Sequence, residues 1–294
     1  MKIVHDRNLN VRPRVLEIAG TLSKYVGLGL AVTVAVAVPW SALVALDLRF
    51  SPRLPWAIPA GMAYMCAATA YLNGSGWPKS TAAARKRYFR AQPLVLAEFN
   101  WALLAGLAAV TCLWLLYAAF GYLSTPPPRA SEAGLPLIVL LGAALVAAAV
   151  TAIAEEGGLR GFMQTPLERL LGPAPAIAIS SFFFVLIHLS HGVAELARNA
   201  PFYFAAGCVY GLLAYLTRSI LPSLILHFLG DVLVFALKSS LVHYTSPSGS
   251  MKRVSLVASA LLLAGASWAA FFRLARLTSS KRSRVSAEGA RLRQ

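Results

Sequence analysis

The chain has 294 residues, 58% of them hydrophobic and only 13% charged, with a mean hydropathy of +0.65 and a formal net charge of +16. A soluble domain carries about a quarter charged residues, and here the apolar residues fall in blocks of roughly 17–25, the length that crosses a bilayer core as a helix. This excludes an ordinary soluble domain. It also argues against nucleic acid as a partner, because basic loops are what membrane insertion itself requires.

In chain order, residues 1–24 form a polar, basic arm (Lys2, Arg7, Arg12, Arg14, Lys24). The apolar run after it is too long for the core of a signal peptide and reads as an uncleaved span. Eight spans are predicted, at 25–46, 54–72, 94–120, 135–158, 174–190, 200–217, 219–242 and 254–273. The fold class is therefore all-α, a polytopic membrane protein of about eight transmembrane helices. Pro39 lies inside the first span, where neighbouring helices can satisfy the carbonyl it frees. With both termini cytosolic, the inside segments hold 20 of the 27 Lys and Arg residues. That asymmetry is the positive-inside pattern.

The loop 73–92 carries Gly74-Ser75-Gly76 and then Arg85-Lys86-Arg87. It reads as a cytosolic retention signal touching anionic headgroups, with substrate docking as the alternative. Pro126-Pro127-Pro128 predicts a stiff external linker. It divides accessory spans in 25–134 from a polar-bearing core at 135–243. A last span in 244–277 and a basic, Ser-rich tail at 278–294, expected to be disordered at the membrane surface, complete the chain. Cys66, Cys112 and Cys208 lie far apart within apolar runs and give neither disulfide nor metal spacing.

The core concentrates ionisable residues where they are expensive. Such groups persist inside lipid when they face a protein interior or a cavity and do chemistry there. Glu155 and Glu156 follow the apolar run 135–154, and Arg160 comes five residues after the first. On one continuous α-helix, adjacent residues point about 100° apart, so the two carboxylates are expected to face different partners. One would face a cavity and the other, Glu156, would pair with Arg160 at i+4. Alternatively the pair simply marks the end of a span. Gly172-Pro173 predicts a turn, with Glu155 and His188 at nearly equal distances from it, hence at equal depth on an antiparallel hairpin. There they can share one water. The competing reading has His188 donating to a backbone carbonyl. His227 and Asp231, four apart, lie on one helix face, but His227 comes out shallower than His188 unless the 159–172 hairpin projects into the cytosol. Gly207 and Gly211 form a small-xxx-small pair for close helix packing.

Glu plus His activates water: a desolvated carboxylate is suited to take a proton near neutrality. A His–Asp pair faces the oxyanion of a tetrahedral intermediate, with Asp231 better suited to orient His227 than to donate directly. No serine lies in a nucleophile motif and no HExxH is present. No cofactor is required by this chemistry, although zinc on His188, His227 and a carboxylate stays chemically open.

Glu155-Glu156-Gly157-Gly158-Leu159-Arg160-Gly161, Phe184-Val185-Leu186-Ile187-His188 and His227-Phe228-Leu229-Gly230-Asp231 resemble, in order, the EExxxR, FxxxH and HxxxN or HxxxD motifs of the CPBP family. These are the CAAX-prenyl-protease and bacteriocin-processing membrane proteins, also called Abi. The run Thr217-Arg218-Ser219-Ile220-Leu221-Pro222 is similar to what the family places before its third motif. The resemblance covers about 135–243 and implies a glutamic-type intramembrane endopeptidase, with myxosortases among its bacterial members. It implies that Glu155 and His188 activate the water, that His227 and Asp231 form the oxyanion side, and that Glu156 and Arg160 support the site. The implied partners are a protein or peptide substrate, membrane-anchored or lipidated, and the bilayer itself, in a bacterial inner membrane. Asp231 stands where the prenyl-protein proteases have Asn, which weakens the case for a CAAX substrate. Gly157-Gly158 replaces a bulky apolar pair and is expected to leave room beside the carboxylates. The runner-up function is a non-catalytic bacteriocin-immunity or scaffold protein on the same fold. A proton- or metal-coupled transporter ranks third, since the first half lacks matching polar sites.

Overall fold

The computed structural model describes residues 11–50, 56–122, 136–238 and 249–291. The Pro126-Pro127-Pro128 linker lies outside them. Among these residues ten α-helices follow in order: α1 (Val11–Phe50), α2 (Ala57–Leu72), α3 (Ala82–Phe89), α4 (Leu96–Ala119), α5 (Leu137–Glu155), α6 (Thr165–Leu171), α7 (Pro173–Ile187), α8 (Val193–Thr217), α9 (Leu221–Lys238) and α10 (Ser250–Arg291). A π-helical stretch, Glu156–Gln164, joins α5 to α6 without a break. Among the described residues no strand occurs.

Among the described residues, six stretches are long and apolar enough to cross a membrane: Leu16–Asp47, Leu96–Ala119, Leu137–Leu171, Pro173–His191, Val193–Thr217 and Ser250–Ser280. Ala57–Leu72 and Leu221–Leu237 are shorter apolar helices. Six of the eight predicted stretches thus hold helices long enough to span and two hold shorter ones; the protein is an all-α polytopic membrane protein. Two boundaries differ from expectation. Residues 11–24 of the basic arm belong to α1, and α10 continues through Arg291, so most of the tail expected to be disordered is helix. Pro39 sits inside α1 without ending it.

In lipid there is little hydrophobic drive between helices, so close packing of small residues and buried hydrogen bonds carry association. α10 lies along α4, where Ser267 donates to the Ala105 carbonyl at 2.9 Å. Gly207 faces Ser181 and Gly211 faces Ile177 and Gln164, each closely enough that a Cβ would meet its neighbour at 2.8–3.1 Å. The small-xxx-small pair thus seats α8 on α7, as the spacing predicts.

The 73–92 loop is only partly the surface feature expected of it. Lys86 and Arg87 are exposed, but Arg85 is buried and turned inward. Its guanidinium donates to the carbonyls of Tyr71, Ser75 and Pro78 and caps the end of α2. Arg90 closes α3 in the left-handed region, at φ 59°, an uncommon conformation for a non-glycine residue. It is held there by long-range bonds. Nη1 donates to Thr165 Oγ1 and Glu168 Oε2, both at 3.0 Å, and Nη2 to the Ala214 carbonyl at 2.6 Å. The Arg90 carbonyl in turn accepts from the Ile220 amide. Burial pulls the Arg90 guanidinium below its ordinary value, and Glu168 opposes that shift.

Candidate active site

The site begins where the α-helix changes its winding. From Glu156 to Gln164 the backbone follows the wider π register, with i→i+5 hydrogen bonds. Such stretches are rare and concentrate at functional sites. The sequence permits this one because Gly157, Gly158 and Gly161 carry no side chains into a crowded space. A Cβ on Gly158 would stand 2.0 Å from Thr33 Oγ1 and 2.6 Å from the Gly29 carbonyl; one on Gly161 would stand 2.9 Å from the Tyr88 carbonyl. One on Gly157 would meet the Phe89 ring at 3.1 Å. The room expected beside the Glu pair is therefore absent. α1 and the end of α3 fill it.

The winding also overturns the expectation that Glu155 and Glu156 cannot share a partner. Both approach His227, from opposite sides of its ring. Nδ1 donates to Glu156 Oε1 at 3.0 Å, and Nε2 lies 3.8 Å from Glu155 Oε2. The 100° separation assumes 3.6 residues per turn; the wider register swings neighbours closer together, and an imidazole presents nitrogens at both ends. Asp231 Oδ2 sits 3.6 Å from the same Nε2, so the i+4 pairing on α9 holds. The expected Glu156–Arg160 pair forms at 3.4 Å, and Arg160 Nη2 donates to the Gly207 carbonyl at 3.2 Å.

Burial sorts these groups. The side chains of Glu156 and Arg160 are 0% exposed, whereas Glu155 is 13% and Asp231 21% exposed. The open edge of the cluster is therefore lined by Glu155 and Asp231, with Glu156 and Arg160 behind them. Aromatic rings wall the cluster. Tyr210 stacks on His227 at 5.2 Å and 13°, and the Arg160 guanidinium lies 4.6 Å from the Phe184 ring and 5.6 Å from that of Tyr210.

His188 stands apart. The chain turns at Gly172 (φ 85°) as predicted, and His188 opens a short 3₁₀ turn at the end of α7. Its Nδ1 donates to the Phe184 carbonyl at 2.7 Å, and its ring stacks on Tyr203 at 3.9 Å. Phe184 is the bridge, 5.0 Å from His188 and 5.5 Å from His227 between ring centres. The backbone-donor reading of His188 is thus observed. It is compatible with chemistry, because fixing the proton on Nδ1 leaves the Nε2 lone pair available. The structure brings Glu155, Glu156, Arg160, His227 and Asp231 into direct contact and attaches His188 through Phe184.

The depth problem posed by His227 is resolved by Arg90. It ties the 217–220 turn to Thr165 and Glu168 on α6. From that level α9 reaches His227 in about two turns, and the π stretch reaches Glu156 in nine residues. α6 extends past this level to Leu171. Arg90, Tyr210, Gly29 and Thr33 carry no motif that flags them. Tyr210 alone had a signal, standing between the two glycines that seat α8 on α7. Among the described residues, no three His, Cys, Asp or Glu side chains gather as a metal-holding group.

Residues 136–233 match the profile of a family described as type II CAAX prenyl endopeptidase, Rce1-like. The match spans a third of the chain and falls on the α5–α9 core. The matched segment starts just before α5 and ends beyond Asp231, so all six site residues fall within it. Comparison with curated proteins and with solved structures finds no match. This similarity points to an intramembrane endopeptidase with a protein substrate. α1, α3 and α10, which lie outside the match, complete the packing of the core.

Proposed function

We propose that the chain hydrolyses a peptide bond with a water activated by Glu155 and His188. The observation that carries this is the cluster itself: three carboxylates converge on His227 inside a membrane-embedded bundle, an arginine pairs with one of them, and Glu155 stands on the open edge. Glu155 takes a proton from water, and the resulting hydroxide attacks the scissile carbonyl. The C–N bond then breaks and the amine leaves with a proton from Glu155 or from His188. His227 faces the oxyanion. Since Nδ1 donates to Glu156, it offers an Nε2–H when both nitrogens carry protons, and Asp231 orients that nitrogen. Glu156 and Arg160 position His227. The substrate is a protein or peptide, membrane-anchored or lipidated, cut near the cytosolic face of a bacterial inner membrane. Eight crossings with both termini cytosolic fit the distribution of basic residues.

The test is cleavage in liposomes. Wild type and Glu155→Ala are incubated with a membrane extract, and new protein termini are sought by mass spectrometry. Termini made by wild type should fall by roughly 100- to 10,000-fold in the variant, the usual size of an acid–base contribution. Equal termini from both proteins, each folded, would sink the mechanism and favour the immunity or scaffold reading. Chelator treatment should leave turnover intact. Loss restored by zinc would favour a metal held by His188, His227 and a carboxylate.

A further inference from the structure

Both histidines of the site lie flat against a tyrosine, and both tyrosines come from α8. Tyr203 stacks on His188 with 3.9 Å between ring centres and 24° between planes, and Tyr210 on His227 with 5.2 Å and 13°. Among the described residues these are the two ring pairs nearest to parallel, the next being Tyr117 with Tyr122 at 33°. The tyrosines are seven residues apart, almost two turns, so they stand on one face of α8, about 10.5 Å apart along its axis. Gly207 falls between them on that face, and there α8 meets α7: a Cβ on Gly207 would lie 3.0 Å from the Ser181 Cβ. Phe184 occupies the middle. Its ring stands edge-on to His188 at 5.0 Å, His227 at 5.5 Å, Tyr203 at 6.3 Å and Tyr210 at 6.2 Å.

A hydrogen bond fixes one end of an imidazole and leaves the ring free to rock about it, because the histidine χ2 torsion is broad. His188 is held by Nδ1 on the Phe184 carbonyl, and His227 by Nδ1 on Glu156 Oε1. In each ring the nitrogen left for chemistry is Nε2, at the far end. A tyrosine face laid against the imidazole stops the rocking and gives Nε2 one direction. Such stacks are a favoured arrangement of aromatic pairs. α7, which ends at His188, and α9, which carries His227, both pack on α8. The two ring faces therefore share one rigid support, and the pitch of α8 sets their spacing.

We propose that Tyr203 and Tyr210 are positioning residues, holding the Nε2 atoms of His188 and His227 at a fixed separation and angle on either side of the scissile carbonyl. What the histidines do there rests on the hydrolytic reading; how they are held follows from the stacks alone. The ring faces act, and the hydroxyls are not required.

The experiment compares Tyr203→Phe, Tyr203→Leu, Tyr210→Phe and Tyr210→Leu in the full chain, by two readouts. The first is the magnetic resonance spectrum of isotope-labelled histidine in detergent, assigned with His188→Gln and His227→Gln. Protons of a ring lying against an aromatic face move upfield. Wild type and the Phe variants should show that shift at both histidines, and each Leu variant should lose it at its own partner. The second is the initial rate at which the wild-type termini appear in liposomes, over a dilution series of membrane extract. Each Leu variant should lower the saturating rate by roughly 100-fold, the cost of a displacement of about 1 Å. The half-saturating amount of extract should stay the same, and the Phe variants should keep the rate. Phe202→Leu, which removes packing against Trp114 and Tyr117 from the adjacent position, should keep the wild-type rate per folded molecule. Unshifted histidine protons in wild type, or shifts that survive in the Leu variants, overturn the proposal. This arm needs no substrate, so it decides even where Glu155→Ala cleaves like wild type and the hydrolytic reading falls. Lost shifts with an undiminished rate overturn it as well, and so does an equal loss of rate in Phe202→Leu. Should a Leu variant not fold, the Phe variants decide: a rate lost while the shift is kept makes the hydroxyl the acting group and overturns the proposal.

Discussion

Of the three arginines buried among the described residues, Arg85, Arg90 and Arg160, the last two each stand beside a glutamate, and they are kept in opposite ways. Arg90 is saturated, with both terminal nitrogens donating to Thr165, Glu168 and the Ala214 carbonyl at 2.6–3.0 Å. Arg160, 0% exposed, has a 3.4 Å ion pair with Glu156 and one bond to the Gly207 carbonyl, while its Nε and Nη1 have no hydrogen bond among the described residues. Glu156 Oε2 and Glu155 Oε2 are likewise buried without one. A buried group left short of partners costs about 1–3 kcal/mol, and natural proteins carry such costs mainly where function needs them. Arg90 joins α3, α6 and α8 as a structural tie. Arg160 and its carboxylates hold unmet hydrogen-bonding capacity in place, the condition a reacting group requires.

Substitutions test that contrast. The largest effect is expected from Glu156→Ala, which strands Arg160 and leaves His227 without its Nδ1 acceptor. Breaking a buried pair from one side costs about 3–5 kcal/mol, read as a lowered thermal midpoint in detergent. Replacing both partners, Glu156→Leu with Arg160→Met, should recover most of that stability and no turnover; an active double variant would end the distinction. Arg90→Ala comes next, at roughly 2–3 kcal/mol for its lost charged hydrogen bonds. The fraction that stays folded should cleave at the wild-type rate per molecule, and a rate loss in folded protein would show that Arg90 belongs to the site. Gly158→Ala should cost about 1–3 kcal/mol through overpacking against Thr33 and the Gly29 carbonyl, with Thr33→Ala in the same chain restoring part of it. Smallest is Glu168→Gln, about 1 kcal/mol or less, since the amide keeps an acceptor for Arg90. A loss as large as that of Glu156→Ala would make the two pairs alike.

Much of this was legible in the chain. The apolar blocks located the helices, Gly172-Pro173 the hairpin turn, and the four-residue spacing of His227 and Asp231 their common face. Glu156 and Arg160 paired as an i,i+4 rule requires. What escaped was whatever depends on winding or on distant covalent neighbours. A π register differs from an α register by one residue per hydrogen bond, and no composition marks it; its glycines read as empty space when they are contact surfaces. Arg90 looked like one more loop cation because its partners lie 75–124 residues away. Gly29 and Thr33 look like ordinary span residues until the π stretch is laid against them.

The contact between Gly29 and Gly158 also sets an order of events. During synthesis α1 enters the membrane about 130 residues before the stretch it covers, which at ordinary rates is roughly 6–26 seconds. Throughout that interval the Gly29–Thr33 face of α1 lacks the glycines it packs against in the finished fold. The two remaining motif-bearing helices, α7 and α9, follow within a further 80 or so residues. The apparatus that inserts this protein must therefore keep its first helix nearby until the fifth arrives, or the carboxylates will be delivered to a helix wound the wrong way.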